Sequence, residues 1–271
     1  MTIKQLILGL SLSLAGSVAL AATPSVDDII HHTNYTSYYQ GQDGTAKVKM
    51  TITDAQNRTR SREFVILRRD VPTSDNVADR SYEGNQKMYV YFKRPADVNK
   101  MVFMVLKNTT GDDNRWLYLP ALDLVKRIAA SDKRTSFVGS DFLYEDVSGR
   151  SLAADKHTLI GTDANYYIVE NTPVAPDEVE FSKYVMYIHK TTFLPISTEY
   201  YDKQGEKYKT YTALAVDTVQ GRPTITKSEA KNLKTGGSTL MEYSSVKYDV
   251  GIPDDIFSER YLRKPPRKLL R

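Results

Sequence analysis

The chain contains no cysteine, so no disulfide framework and no thiolate metal site can hold it together; its stability must come from an apolar core. The same absence excludes a lipid-modified N-terminal cysteine. Histidine is scarce, with only His31, His32, His157 and His189, and no pair has the spacing of a metal-binding helix or strand. There is no glycine-rich phosphate loop and no nucleophile elbow. No metal, no cofactor and no histidine-based catalysis are therefore expected. Charge of one sign is also lacking: the net charge is +4, dispersed along the chain, which argues against nucleic acid as a partner.

Long apolar runs are absent except at the start. Lys4 precedes an apolar stretch from Leu6 to Leu20, and Ala19-Leu20-Ala21 has the form of a small-residue cleavage site. Residues 1–22 therefore read as a cleaved signal peptide, too short and wrongly flanked for a membrane span. The mature chain, residues 23–271, is expected to be a single exported domain, unanchored and periplasmic. It is compatible with one large all-β unit.

Beyond the signal, Ser25 and Asp28 are placed as a capping box. Val26, Ile29, Ile30, Tyr35 and Tyr38 fall near helical spacing, which predicts an amphipathic helix over 25–39. The period then switches to two. Ala46, Val48, Met50 and Ile52 alternate with threonines and lysines, the mark of a half-buried strand. Thr59–Arg69 returns as its hairpin partner, and the polar stretch 70–85 reads as a mobile loop. Strand-like runs follow at Gln86–Lys93, Lys100–Lys107, Trp116–Leu119, Leu122–Ile128, His157–Gly161, Tyr166–Glu170, Phe181–Lys190, Ile196–Asp202, Lys207–Asp217, Thr224–Leu233 and Thr239–Tyr248. So many short strands separated by tight turns predict a large antiparallel sheet, rolled into a barrel or a sandwich. Ile252–Phe257 reads as a short turn plugging Ile256 and Phe257 into a sheet edge. The basic tail Arg260–Arg271 reads as a solvated terminus, or else as a weak contact with anionic lipid headgroups.

The densest stretch is Arg115–Arg150, where aromatic, acidic and small residues crowd together. Asp141, Glu145 and Asp146 could serve acid–base chemistry, but Asp141 is also placed to begin a helical turn, and basic Lys126, Arg127, Lys133 and Arg134 lie nearby to pair with the others. The structural role is the stronger expectation, so an enzyme is not favoured. A membrane-spanning barrel is disfavoured by charge: Arg60, Arg62, Glu63, Arg68 and Arg69 occupy both faces of one strand, and a basic residue facing lipid at mid-membrane costs roughly 2–4 kcal/mol.

Three segments of this stretch, Trp116-Leu117-Tyr118-Leu119-Pro120, Val125-Lys126-Arg127-Ile128 and Ser136-Phe137-x-Gly139-Ser140-Asp141-Phe142-x-Tyr144-Glu145-Asp146, resemble the outer-membrane lipoprotein-sorting protein family, the LolA/LolB-like superfamily. The likeness is greatest to the branch found beside RND-type (MMPL) export permeases. It implies a strongly curved, half-open antiparallel β-barrel with helical lid segments, here the 25–39 helix and the turn around Phe137–Asp146. It also implies a non-enzymatic carrier whose hydrophobic cavity receives acyl chains of a lipid or lipoprotein. Its partner would be such a ligand, an RND/MMPL-type permease, or transiently a membrane surface. The alternative is a permease accessory subunit with no cargo. Under this resemblance the expected lining is Met50, Ile52, Met88, Val90, Phe92, Met101, Phe103, Trp116 and Tyr118. Trp116, Tyr118, Phe137, Phe142 and Tyr144 would meet between sheet and lid. Asp141, Glu145 and Asp146 would order the lid or touch a partner.

Overall fold

A computed structural model describes residues 23–71 and 84–271. The expected signal peptide and most of the 70–85 loop lie outside the described residues. The described chain opens with helix α1 (Val26–Asn34), and the capping box forms: Ser25 Oγ accepts from the Asp28 amide at 3.1 Å, and the Asp28 carboxylate accepts from the Ser25 amide at 3.2 Å. A π-helical turn, Tyr35–Tyr39, continues it. Gly41, at φ +71°, then swings the chain into the sheet, where a Cβ would lie 3.0 Å from Asp249 Oδ1 and 3.1 Å from Tyr248 Cβ.

Thirteen strands follow. The first six are β1 (Asp43–Thr53), β2 (Thr59–Asp70), β3 (Gln86–Arg94), β4 (Val102–Lys107), β5 (Asn114–Leu119) and β6 (Leu124–Ile128). The other seven are β7 (Asp155–Thr162), β8 (Tyr166–Pro173), β9 (Phe181–His189), β10 (Pro195–Asp202), β11 (Lys207–Val219), β12 (Arg222–Asn232) and β13 (Ser238–Tyr248). They form one antiparallel sheet in the order β6-β5-β4-β3-β2-β1-β13-β12-β11-β10-β9-β8-β7. The first six strands step outward from β1 to one edge. The chain then crosses to the far edge and steps back, so that β13 closes onto β1 with Met50 opposite Met241. Every other neighbouring pair is consecutive in sequence. Bulges in the β9–β10, β10–β11 and β11–β12 ladders bend the sheet. It curls without closing into a barrel, and residues 129–154 link its two edge strands.

The inner face carries the largest apolar cluster: Val48, Met50 and Ile52 of β1, Phe64 of β2, Val90 and Phe92 of β3, and Phe103 and Val105 of β4. An antiparallel sheet usually leaves its other face to solvent, but on β2–β5 this sheet does not. Val65, Leu67, Tyr89, Val102 and Met104 point outward and are covered by Ile252, Ile256, Phe257, Leu262 and Leu270. This explains why these strands read as unbroken apolar runs, such as Phe64-Val65-Ile66-Leu67. The covering segment includes the short helix α3 (Glu259–Arg263). It is fastened by Tyr89 Oη donating to Tyr261 O at 2.7 Å, Lys87 pairing with Asp254 at 2.7 Å, and Arg69 donating to Ile252 O at 2.6 Å.

Two expectations change here. The terminal segment is not a solvated tail: Leu262 is 0 % and Leu270 5 % exposed. Ile256 and Phe257 pack on the outer face rather than plugging a sheet edge. The basic residues had masked the apolar positions between them, because Tyr261, Leu262, Leu269 and Leu270 are too few to make a visible period.

Candidate functional site

The link 129–154 forms a lid over the inner face. A 3₁₀ turn, Ala130–Arg134, leads into a short hairpin-like loop in which Ser136 bridges Leu143 and the Phe137 amide donates to Phe142 O at 2.8 Å. The loop drives Phe137 into the sheet. Its ring lies 6.1, 5.9, 5.6 and 5.6 Å from those of Phe64, Phe92, Phe103 and Tyr144. Burying such a ring is worth roughly 1.5–3 kcal/mol, before the edge-to-face aromatic contacts are counted. Helix α2 (Tyr144–Ser148) completes the lid.

The three carboxylates fasten this lid. Asp141 accepts from Thr239 Oγ1 at 2.7 Å, tying the loop to β13. Glu145 is buried between Arg134 and Arg150. Asp146 accepts from the Leu143 amide at 2.9 Å, starting α2, and pairs with Lys209 of β11 at 2.8 Å. The two arginines continue outward. Arg134 forks onto Glu180 at 2.7 and 2.6 Å, Arg150 holds Asp155 at 2.7 Å, and both guanidinium groups sit against the Phe181 ring. Burial opposes the charged forms of both arginines, but the surrounding carboxylates outweigh it and hold them protonated. These contacts tie the 129–154 link to β11 and β13 and to its own turns, with Glu145 buried among them. Among the described residues no group of three or more His, Cys, Asp or Glu side chains could hold a metal ion.

A cavity of about 390 Å³ lies between the lid, the 26–39 helical segment and the inner face. That falls within the size of ordinary small-ligand sites. Its apolar wall includes Ile30, Ile66, Met88, Phe142, Val147 and Met241. Its polar wall is a set of tyrosines, Tyr38, Tyr184, Tyr200, Tyr211, Tyr243 and Tyr248. Burial pushes the hydroxyls of Tyr38, Tyr184, Tyr200, Tyr211 and Tyr243 up from their ordinary range, so they remain neutral donors. The cavity's charged groups are largely paired within the fold: Arg68 with Asp70, Lys209 with Asp146, Arg150 with Asp155. An apolar occupant would meet little unpaired charge.

The cavity sits beside the place expected for it. Of the residues predicted to line it or to meet the lid, only Met88, Phe137 and Phe142 reach it. Met50, Ile52, Val90, Phe92, Met101, Phe103 and Tyr144 form the packed core beneath the Phe137 plug. Trp116 and Tyr118 are on the outer face altogether. They stand opposite Met104 and Val102 in the ladder, and directly paired residues share a face, so Leu117 and Leu119 point inward instead. The wall supplied by β9–β13 was not foreseen. Its signal was the repetition of tyrosine at 184, 200, 211, 243 and 248 among otherwise polar strands.

A family model described as "uncharacterized protein" matches residues 84–264. No curated protein matches the chain. Among solved structures it is similar to a DUF1329 family protein from Desulfovibrio piger, at 27 % identity over 88 % of this chain and 97 % of that one, with a TM-score of 0.77. It is also similar to a domain from Vibrio parahaemolyticus described as an outer-membrane lipoprotein-sorting protein, at 25 % identity over 88 % and 97 % of the two chains, TM-score 0.75. A LolA superfamily protein from Nitrosomonas europaea shares the fold at 18 % identity over 88 % and 100 %, TM-score 0.65. The family model covers more than half of this chain, which belongs to that family of uncharacterized proteins, and sheet, lid and these likenesses agree on a LolA-like fold.

Proposed function

We propose that this protein is a non-enzymatic periplasmic carrier that shields the acyl chain of a lipid or lipoprotein on its way toward the outer membrane. The observation that carries this reading is the cavity of about 390 Å³ between lid and sheet, apolar on one side and lined by neutral hydroxyls on the other. A ~16-carbon chain costs more than ~10 kcal/mol to move into water, at about 0.8 kcal/mol per CH₂, so a carrier needs such an interior. An accessory subunit without cargo would need none.

The route inward runs along the seam between the two lid pieces. The 129–154 piece is held by the Phe137 plug and by buried ion pairs. The end of the 26–39 piece is held by Arg68, which donates to Tyr38 O, Gln40 O and Gly41 O at 2.7, 2.6 and 2.9 Å. Among the described residues, a long hydrogen bond from Tyr38 Oη to Asp146 O, at 3.5 Å, crosses between the pieces. Parting that seam sacrifices little, whereas lifting either piece bodily breaks a buried network.

The test is native mass spectrometry, with organic extraction, of the mature protein purified from periplasm without detergent. A retained phospholipid, fatty acid or acylated peptide is expected. A clean apo mass, together with failure to take up a fluorescent fatty acid, would overturn the carrier reading.

A further inference from the structure

A second, polar pocket of about 130 Å³ adjoins the cavity and shares Asn34, Arg150 and Leu152 with it. It lies where the end of β4 meets the lid, and two of its cations are not fully used by the fold. Lys107 is only 8 % exposed, yet among the described residues its ammonium has no hydrogen-bond or ion-pair partner; it rests against the rings of Tyr38 and Tyr39, 5.5 and 5.6 Å from their centres. Arg115, 2 % exposed, uses one terminal nitrogen on Asp113 at 2.5 Å and on Ser148 Oγ at 3.4 Å, while its Nε has no acceptor. Leaving a buried cation without an acceptor is costly, so such a group asks for an anion.

The local backbone makes room for the ammonium. Gly149 stands at φ +80°, and a Cβ there would come within 3.1 Å of Lys107 Nζ and 3.1 Å of the Tyr38 ring. The pocket's charged lining is Lys107, Arg115, Lys133 and Arg150 against Asp112, Asp113 and Glu145. Asp113 is committed to Arg115, and Glu145 to Arg134, Arg150 and, at 4.0 Å, Lys133. The cation left over is Lys107.

We infer that this pocket is an anion subsite, built around Lys107 and Arg115, that takes the carboxylate or phosphate head of the ligand whose acyl chain fills the adjoining cavity. The inference rests on the carrier reading and narrows it to acidic amphiphiles. Burial draws Lys107 down to about 8. The groups facing it are Asp113 and Arg115 of the β4–β5 hairpin, Glu145 of α2, Asp70 of β2, and Tyr38 and Tyr39 of the helical segment. The ammonium is charged below about pH 8, where it can hold an anion, and neutral above it.

The experiment compares a C16 fatty acid, the matching C16 alcohol and inorganic phosphate, by titration calorimetry on the mature wild-type protein and on Lys107→Met and Lys107→Arg. A charge-assisted contact predicts that the acid binds at least about tenfold tighter than the alcohol at pH 7. The preference should fade as pH rises from 7 to 10, vanish in Lys107→Met and survive in Lys107→Arg. Should Lys107→Met fail to fold, the pH series on the wild-type protein decides alone. Equal binding of acid and alcohol, with no phosphate binding, overturns the subsite and leaves the carrier standing. Phosphate binding that depends on Lys107, without any preference for acid over alcohol, overturns the link to a lipid head and identifies a site for a free anion. If neither amphiphile binds, the carrier reading is the one that falls.

Discussion

Lys209 Nζ lies 2.8 Å from Asp146 Oδ2, and this pair joins the floor of the cavity to its lid. The lysine is 9 % and the aspartate 22 % exposed, so neither charge is well solvated once the partner is removed. Lys209 is also 5.5 Å from the centre of the Tyr200 ring. Removing one member of a buried pair strands the other, at roughly 3–5 kcal/mol. The single variants Lys209→Met and Asp146→Asn should each lower unfolding free energy by an amount near the bottom of that range, Asp146→Asn the more because it also weakens the start of α2. The double variant should lose less than the sum, with a coupling of about 0.5–3 kcal/mol. Additive losses in denaturant titrations would show that the pair does not hold the lid.

The single tryptophan gives a second prediction. Trp116 packs against the cluster that the terminal segment covers, on the face opposite the cavity. Its emission should therefore hardly change when a fatty acid fills the cavity. Leu262→Asp, which places a carboxylate at a fully buried position of that cluster, should shift the emission to the red and cost several kcal/mol, of the order seen for severe core lesions (~3–5 kcal/mol). A tryptophan signal that follows fatty-acid titration would contradict the assignment of faces.

The gap between these faces shows where sequence reading reaches and where it stops. Each strand was legible, because period two and the intervening turns are local properties of the chain. The helix start was legible too, since Ser25 and Asp28 need only their own neighbourhood. Which face each strand shows to the cavity was not. Trp116 and Leu117 are equally plausible as inward residues until β5 is placed in register with β4, and that register is a property of pairs of strands. Likewise Glu145 was expected beside nearby bases and does meet Arg134 and Lys133. The partner of Asp146, by contrast, is Lys209, brought there only by the crossing of the lid to β11. The cavity's position escaped notice for the same reason: Phe137 fills the β2–β4 half of the interior, and the open half depends on where that plug lands.

Acid should loosen the lid through Glu180. Burial alone would raise its carboxyl, but the fork from Arg134 outweighs burial and, with the Tyr208 hydroxyl donating at 3.0 Å, holds it at about 2. A carboxyl depressed on folding contributes stability above its unfolded value near ~4.3, and that contribution is lost as pH falls through about 2. The side chain is 44 % exposed, so solvent screening reduces the contribution to about 1 kcal/mol. Glu180→Gln should accordingly be less stable than wild type at pH 7, and the two unfolding curves should converge toward pH 2. Parallel curves across pH 2–7 would show that the Arg134 fork carries no net stability.

Filling the interior separates an open cavity from a packed core. Ala46 lines the cavity on β1, whereas Val90 lies in the packed half and is fully buried. Adding a ring to a close-packed core forces strain of typically ~1–3 kcal/mol. Val90→Phe should therefore lower stability by about that much, and leave fatty-acid uptake intact wherever the protein still folds. Ala46→Phe has open space to occupy, so its stability should be close to wild type while uptake of a fluorescent fatty acid is lost. The pair of variants thus crosses: one damages the fold and spares uptake, the other spares the fold and removes uptake. If Ala46→Phe were as destabilising as Val90→Phe, with uptake unchanged, the space between lid and sheet would not be where an acyl chain binds.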